Sequence, residues 1–302
     1  MKKTIFSVID SASLPVLVSS ILITVLSCFS HVFGESPAGS ILLYAAYLAI
    51  LIVPAAVSYL VLGERPANLK KTPVKGRIPL AASFFGVTTV AAYLNRIVTL
   101  LLERAGLISG IASSGPEIRD LSDALTAVLT LCIVVPFAEE MLFRNYVLRR
   151  CLPLGTGKAV IFSSLLFAML HADVSQLIYA FAGGIVLASI TVMTGSVIPA
   201  VILHSLNNLA AVLISSADAF LDKNTAFAVS AIFDLITVLV AAAAVVFILV
   251  KIKAHPGYCT FPDYRGEASL GDDSTCTVRL PVVTFIFAVY TVARIAAANL
   301  SF

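Results

Sequence analysis

Long apolar runs alternate with short polar clusters along the whole chain, falling near residues 14–33, 40–62, 78–103, 122–148, 157–175, 176–193, 197–215 and 225–251. Most approach the roughly 20 residues that an α-helix needs to cross a bilayer, so the pattern predicts about eight spans. A ninth apolar run, 280–298, fits either a span or an interfacial helix. The polar segment between the eighth and ninth runs contains Pro256, Gly257, Pro262, Gly266 and Gly271 and reads as a loop, too small to hold a core of its own. The predicted fold class is all-α: a polytopic transmembrane helix bundle forming a single integral membrane domain over 1–302. Lys2 and Lys3 ahead of an apolar run resemble a signal peptide, but the run is long and lacks an Ala-x-Ala exit, so it reads as the first span.

Composition sharpens this picture. Of 302 residues, 59% are hydrophobic and only 12% charged, about half the charge of an ordinary soluble domain, which excludes a water-soluble globule. The net charge of +3 arises from short clusters rather than a basic face, so nucleic acid is excluded as a partner. Those clusters carry topology. Lys2 and Lys3, then Arg65, Lys70, Lys71, Lys75 and Arg77, then Arg149, Arg150 and Lys158, then Lys251, Lys253 and Arg265, fall on one side when eight spans precede the last group. Because short cytoplasmic loops retain Lys and Arg, the amino terminus is expected in the cytoplasm and the chain in a cell membrane.

Candidate chemistry lies where polar groups interrupt apolar helices, since an ionisable side chain at mid-span costs about 2.5–3.5 kcal/mol and needs a partner or a role. The fourth run contains Glu139, Glu140 and Arg144, the fifth Phe167 and His171, and the seventh His204 and Asn208. Glu140 and Arg144 stand four apart in the favourable acidic-before-basic order for an ion pair. Glu139 is left without an intrahelical partner and is a candidate proton acceptor. Pro136 cannot donate to the carbonyl of Cys132, which predicts a kink just before the carboxylates. His204 and Asn208 share a helix face, either as an interhelical hydrogen-bonding pair or as site residues. At 1.5 Å per residue, Glu139 and His204 lie roughly 13 and 11 Å from the inner ends of their runs but His171 roughly 21 Å, so His171 is the member whose depth disagrees. Asn95, Arg96 and Asp234 are expected to form a structural pair or to snorkel toward headgroups.

Glu-Glu-x-x-x-Arg, Phe-x-x-x-His and His-x-x-x-Asn, in that order in successive apolar helices, resemble the CPBP family of CAAX prenyl protease type II and bacteriocin-processing membrane proteins. The resemblance covers about Pro136 to Asn208. It implies a catalytic core at about 122–215, formed by spans four to seven, and an intramembrane endopeptidase acting on a peptide or protein reached from the membrane or the cytoplasmic side. By the same resemblance, Glu139 with His171 would activate water and His204 with Asn208 would supply oxyanion donors, while Glu140, Arg144 and Phe167 would support the site. No cofactor is expected, since there is no His-Glu-x-x-His and a set with Asn and without Cys is a poor tetrahedral zinc site; two His and two Glu leave zinc as the less favoured alternative. The competing expectation is a non-catalytic peptide-binding or bacteriocin-immunity protein. A solute carrier fits less well, because no internal repeat or paired broken span is visible.

Overall fold

The computed structural model describes residues 5–33, 37–61, 63, 66–70, 74–108, 118, 120–262, 264 and 282–300. Among the described residues there are helices and no strands. They are α1 (Ile5–Phe33), α2 (Pro37–Leu60), α3 (Arg77–Arg104), α4 (Leu121–Leu154, with irregular turns), α5 (Thr156–His171), α6 (Leu177–Thr194), α7 (Ile198–Phe220), α8 (Lys223–Ala254) and α9 (Val282–Leu300). Seven of these are long and apolar enough to cross a membrane, and the chain is an integral multi-pass membrane protein. The fifth run forms a shorter helix than its apolar length predicts. It stops at His171 because Ala172 takes the left-handed conformation and Asp173 turns the chain by accepting from the Ser175 backbone N–H.

The bundle is layered. The α1–α2 pair packs on α4, α5 and α6 form the centre, α7 lies against α4, and α3 with α8 closes the far side. Of the spanning helices α6 is the most enclosed, with 61% of its apolar window buried against 17% for α7 and α8. Two glycines let backbones approach. A Cβ at Gly86 would lie 2.2 Å from the Thr237 carbonyl oxygen of α8, and one at Gly184 would lie 3.0 Å from Ser164 Cβ of α5. Close small-residue contact replaces the hydrophobic drive that helices lack in lipid.

Three prolines sit inside apolar helices, and each leaves a carbonyl without its donor. Another helix supplies that donor in every case. The Ser11 carbonyl opposite Pro15 takes the Tyr146 hydroxyl at 3.5 Å, and the Ile50 carbonyl opposite Pro54 takes the Ser19 hydroxyl at 2.7 Å. At Pro136 the hydrogen-bond ladder itself changes. The helix is widened to π turns at Thr130–Val134 and again at Met141–Leu148, and the Val135 N–H bonds to the Thr130 carbonyl. In such an i→i+5 ladder the Leu131 carbonyl would look to residue 136, which has no N–H. It accepts instead from Asn208 Nδ2 at 2.7 Å. With no water to satisfy backbone groups in a bilayer, these bonds lock the helices to one another.

The ninth run is helical and runs parallel to α1. Asp10 Oδ1 accepts from the Val283 and Thr284 backbone N–H groups, Ser13 meets Thr284 at 2.8 Å, Tyr290 donates to Thr24 at 2.6 Å, and Arg294 donates to Ser20 at 3.3 Å. Such a ladder follows α1 along its length, so α9 accompanies a spanning helix rather than lying across its end.

The expected pairing of Asn95 or Arg96 with Asp234 is not what the structure shows. Asp234 accepts from Tyr93 at 2.6 Å. Asn95 stitches the α5–α6 turn, donating to the Val174 carbonyl and accepting from the Ile178 N–H, both at 2.7 Å. Asn95 lies about 14 Å below the outer end of α3, so this turn sits at membrane depth, where irregular backbone needs a protein partner.

Candidate active site

Glu139 and Glu140 lie on the α-helical turn Val135–Glu140 between the two π segments. Widened turns of this kind recur at functional sites because they redirect side chains that a regular helix would hold in fixed register. Here they let adjacent carboxylates meet one imidazole. His204 Nδ1 is 2.9 Å from Glu140 Oε1, and its Nε2 is 3.8 Å from Glu139 Oε2. Glu140 Oε1 also accepts from Arg144 at 3.0 Å, the ion pair that the spacing predicted. Arg144 is fully enclosed. It reaches the Gly184 carbonyl at 3.3 Å and lies 4.4 Å from the Phe167 ring centroid. Glu140 Oε2 and Arg144 Nε are buried without a hydrogen-bond partner among the described residues.

Phe167 is the hub of the aromatic packing. Its ring meets Phe143, His171 and His204 edge to face, with centroids 5.1, 5.0 and 5.9 Å away. His171 Nδ1 is 2.9 Å from the Phe167 carbonyl. A carbonyl oxygen only accepts, so Nδ1 is the donor, and in the neutral ring that leaves the lone pair on Nε2. The depth mismatch expected for His171 comes from a boundary. Since α4 continues through a 3₁₀ turn to Leu154, Glu139 stands about 22 Å from the C-terminal end of α4 and His171 about 22 Å from the N-terminal end of α5. His204 is only about 9 Å into α7, which therefore begins deeper in the bundle than α4 ends.

Glu139, Phe167, His171, His204 and Asn208 all line one cavity of about 1110 Å³, which continues past Arg96 toward Asp234. Glu140 and Arg144 are not among its lining residues; they sit behind the wall. The structure thus brings all seven sequence-predicted residues into one region, five on the cavity and two beneath it. It also adds Tyr47 of α2, whose hydroxyl donates to Glu139 Oε1 at 2.9 Å. A mid-span tyrosine hydroxyl needs a partner, but Tyr44 and Tyr47 offer that signal equally in the sequence. Asn207, next to Asn208, is held by Thr88 at 3.1 Å and by the Tyr179 hydroxyl. Among the described residues no group of three or more His, Cys, Asp or Glu side chains is arranged to hold a metal ion.

Comparison with known families reaches the helices that carry this cluster. Residues 121–210 match the family model described as Type II CAAX prenyl endopeptidase Rce1-like. The resemblance read from the three motifs is borne out over these helices. Over 98 residues the chain is also 34% identical to the UPF0177 protein YxdF of Lactococcus lactis subsp. lactis (strain IL1403). That match covers 30% of this chain and 51% of the relative, so the chain spans about half the length of the curated relative it matches. No solved structure matches the chain.

Proposed function

We propose that this protein is an intramembrane endopeptidase that hydrolyses a peptide bond of a membrane-associated substrate with water activated by Glu139, and that α4 to α7 are its catalytic core. The observation that carries the reading is the single intramembrane cavity onto which Glu139, His171, His204 and Asn208 open. The match of residues 121–210 to the Rce1-like family model supports the same reaction class.

Glu139 takes a proton from water while His171 Nε2 orients the same water, and the resulting hydroxide attacks the peptide carbonyl carbon. The oxyanion then needs donors at fixed positions. His204 supplies one from Nε2 when protonated, and with it in that form Glu139, Glu140, Arg144 and His204 sum to zero charge. Asn208 spends one amide hydrogen on the Leu131 carbonyl and has the second for the oxyanion. Collapse of the intermediate breaks the C–N bond, and the proton held by Glu139 passes to the leaving amine. Tyr47 holds Glu139 in place, and Glu140 with Arg144 anchors the helix. No step calls for a metal ion. The charge clusters support an amino terminus and basic loops on the cytoplasmic side of a cell membrane.

Purified protein incubated with a library of tagged membrane peptides, with products read by mass spectrometry, tests the proposal. Cleavage by the parent that survives exhaustive chelation and disappears in Glu139→Gln is expected. Equal cleavage by parent and Glu139→Gln would overturn the mechanism, and activity lost to chelation and restored by zinc would replace it with a metal-dependent one.

A further inference from the structure

A second cavity, of about 820 Å³, differs from the carboxylate site in being lined by basic groups. Its walls are the end of α8, the turn that follows, and the segment leading into α3, and they include Lys75, Lys251, His255, Tyr258 and Thr260. Among the described residues that line it there is no carboxylate.

The walls are fixed. The Val74 N–H bonds to the Met193 carbonyl at 3.4 Å and the Thr156 hydroxyl to the Pro262 carbonyl at 2.7 Å, which ties both loops to the core helices. Gly76 holds φ +89, and a Cβ there would lie 2.5 Å from Cys259 Sγ, so the two loops touch with no room to spare. The turn after α8 is closed by bonds from the His255 N–H to the Lys251 carbonyl and from the Tyr258 N–H to the His255 carbonyl, both 2.8 Å.

Neighbouring basic residues at this end of the bundle have structural partners. Arg149 donates to the Ala67 carbonyl and to Asn145, Arg77 to the Val74 carbonyl, and the Lys70 ammonium lies over the Tyr264 ring. The side chains of Lys75 and His255 have no hydrogen bond or ion pair among the described residues, and the Lys251 ammonium has only the Phe247 ring, 5.4 Å from its centroid. Two ammonium groups facing one space repel each other unless an anion lies between them, and the His255 ring in the same wall offers a further nitrogen. Two hydroxyls in the same wall supply further donors. Basic pockets between helices at the cytoplasmic face are the arrangement that takes lipid phosphates.

We propose that this cavity is a phosphate site, which takes the phosphate of an anionic lipid headgroup or of a soluble phosphoester. Lys75 and Lys251 provide the charge, and Tyr258 and Thr260 hydrogen-bond the phosphate oxygens. The proposal stands independently of the peptidase reading.

The full chain, purified in detergent and stripped of lipid, is titrated with phosphatidylglycerol, phosphatidylcholine and inorganic phosphate, with native mass spectrometry and melting temperature as readouts. One retained phosphatidylglycerol and a raised melting temperature, without the same response to phosphatidylcholine, support a lipid source. Protection by inorganic phosphate alone supports a soluble one. In either case Lys75→Gln/Lys251→Gln should weaken binding at least tenfold, and Lys75→Arg/Lys251→Arg should retain it and shows that the fold tolerates change there. Lys158→Gln/Lys253→Gln, at the same end but outside the cavity, should bind as the parent does. If neither ligand binds in preference to phosphatidylcholine, or if both Gln pairs lose binding equally, the site does not exist and attraction to this face is diffuse.

Discussion

The helices α4 and α8 are both long spans, and they solve the bilayer problem in opposite ways. α8 runs from Lys223 to Ala254 as an uninterrupted α-helix, begins on Asp222, whose carboxylate accepts from the Asn224 and Thr225 N–H groups, and shows most of its surface to lipid. Hydrogen bonding from the Thr225 hydroxyl and backbone holds the Asp222 carboxyl below the usual carboxylate range. α4 changes its hydrogen-bond ladder twice, contains a proline, and buries two carboxylates and two guanidinium groups. The difference shows where information resides. Generic apolarity suffices to place α8, while every irregularity of α4 is matched by a specific group on α2, α6 or α7.

If that contrast is real, damage to α4 should be large and specific, and damage to α8 small and general. The largest effect belongs to Glu139→Gln, expected to lower turnover roughly 10²–10⁴-fold with an unchanged melting temperature; calorimetry beside the cleavage assay reads both. Arg144→Ala should cost about 3–5 kcal/mol of stability, because it strands Glu140 in a dry interior. A double variant, Arg144→Met/Glu140→Gln, should recover part of that loss, and a melting temperature as low as that of the single variant would show that packing on Phe167, not charge, is what Arg144 supplies.

Asn208→Ala comes next and should act on both turnover and stability. As a pure oxyanion donor its loss would slow turnover and leave stability alone. Since Asn208 also fills the Leu131 carbonyl, it should destabilise by about 1–3 kcal/mol as well. Thermal melts that match the parent would remove the structural half of its role. On the α8 side, Gly86→Ala should force α3 and α8 apart at a cost of about 1–3 kcal/mol, with turnover per folded molecule preserved. The smallest effect is Thr237→Val, which removes a 3.2 Å contact with Thr89 and should cost under about 1 kcal/mol. A larger loss there than at Asn208 would erase the contrast between the helices.

These differences also explain what the sequence reveals. Spans are legible because hydropathy is a property of composition over about 20 residues, and the three motifs are legible because ionisable residues stand out against Leu, Val and Ala. Partners are not legible. Nothing in the run around Tyr47 says that its hydroxyl meets Glu139, and nothing around Asn95 says that it closes the turn after α5 rather than pairing with Asp234. The π turns are hidden for the same reason: Pro136 announces a defect in the ladder, but its form depends on Asn208 arriving from a helix about 70 residues later. The end of α5 at His171 is set by one left-handed residue inside an apolar stretch, and no hydrophobic count registers it.

The ladder between α1 and α9 has a consequence for biogenesis. Ser13 and Thr284 are 271 positions apart, and at about 5–20 residues per second a ribosome needs roughly 15–55 s to make the intervening chain. Throughout that interval Asp10 and Ser20 face the bilayer or its insertion machinery without their α9 donors, while Ser13 and Thr24 have only carbonyls of their own helix. Of the described helices α1 is thus made earliest and finds its neighbour α9 latest, and a nascent chain halted before residue 282 should hold α1 in a conspicuously exposed state, open to crosslinking by insertase or chaperone until α9 arrives.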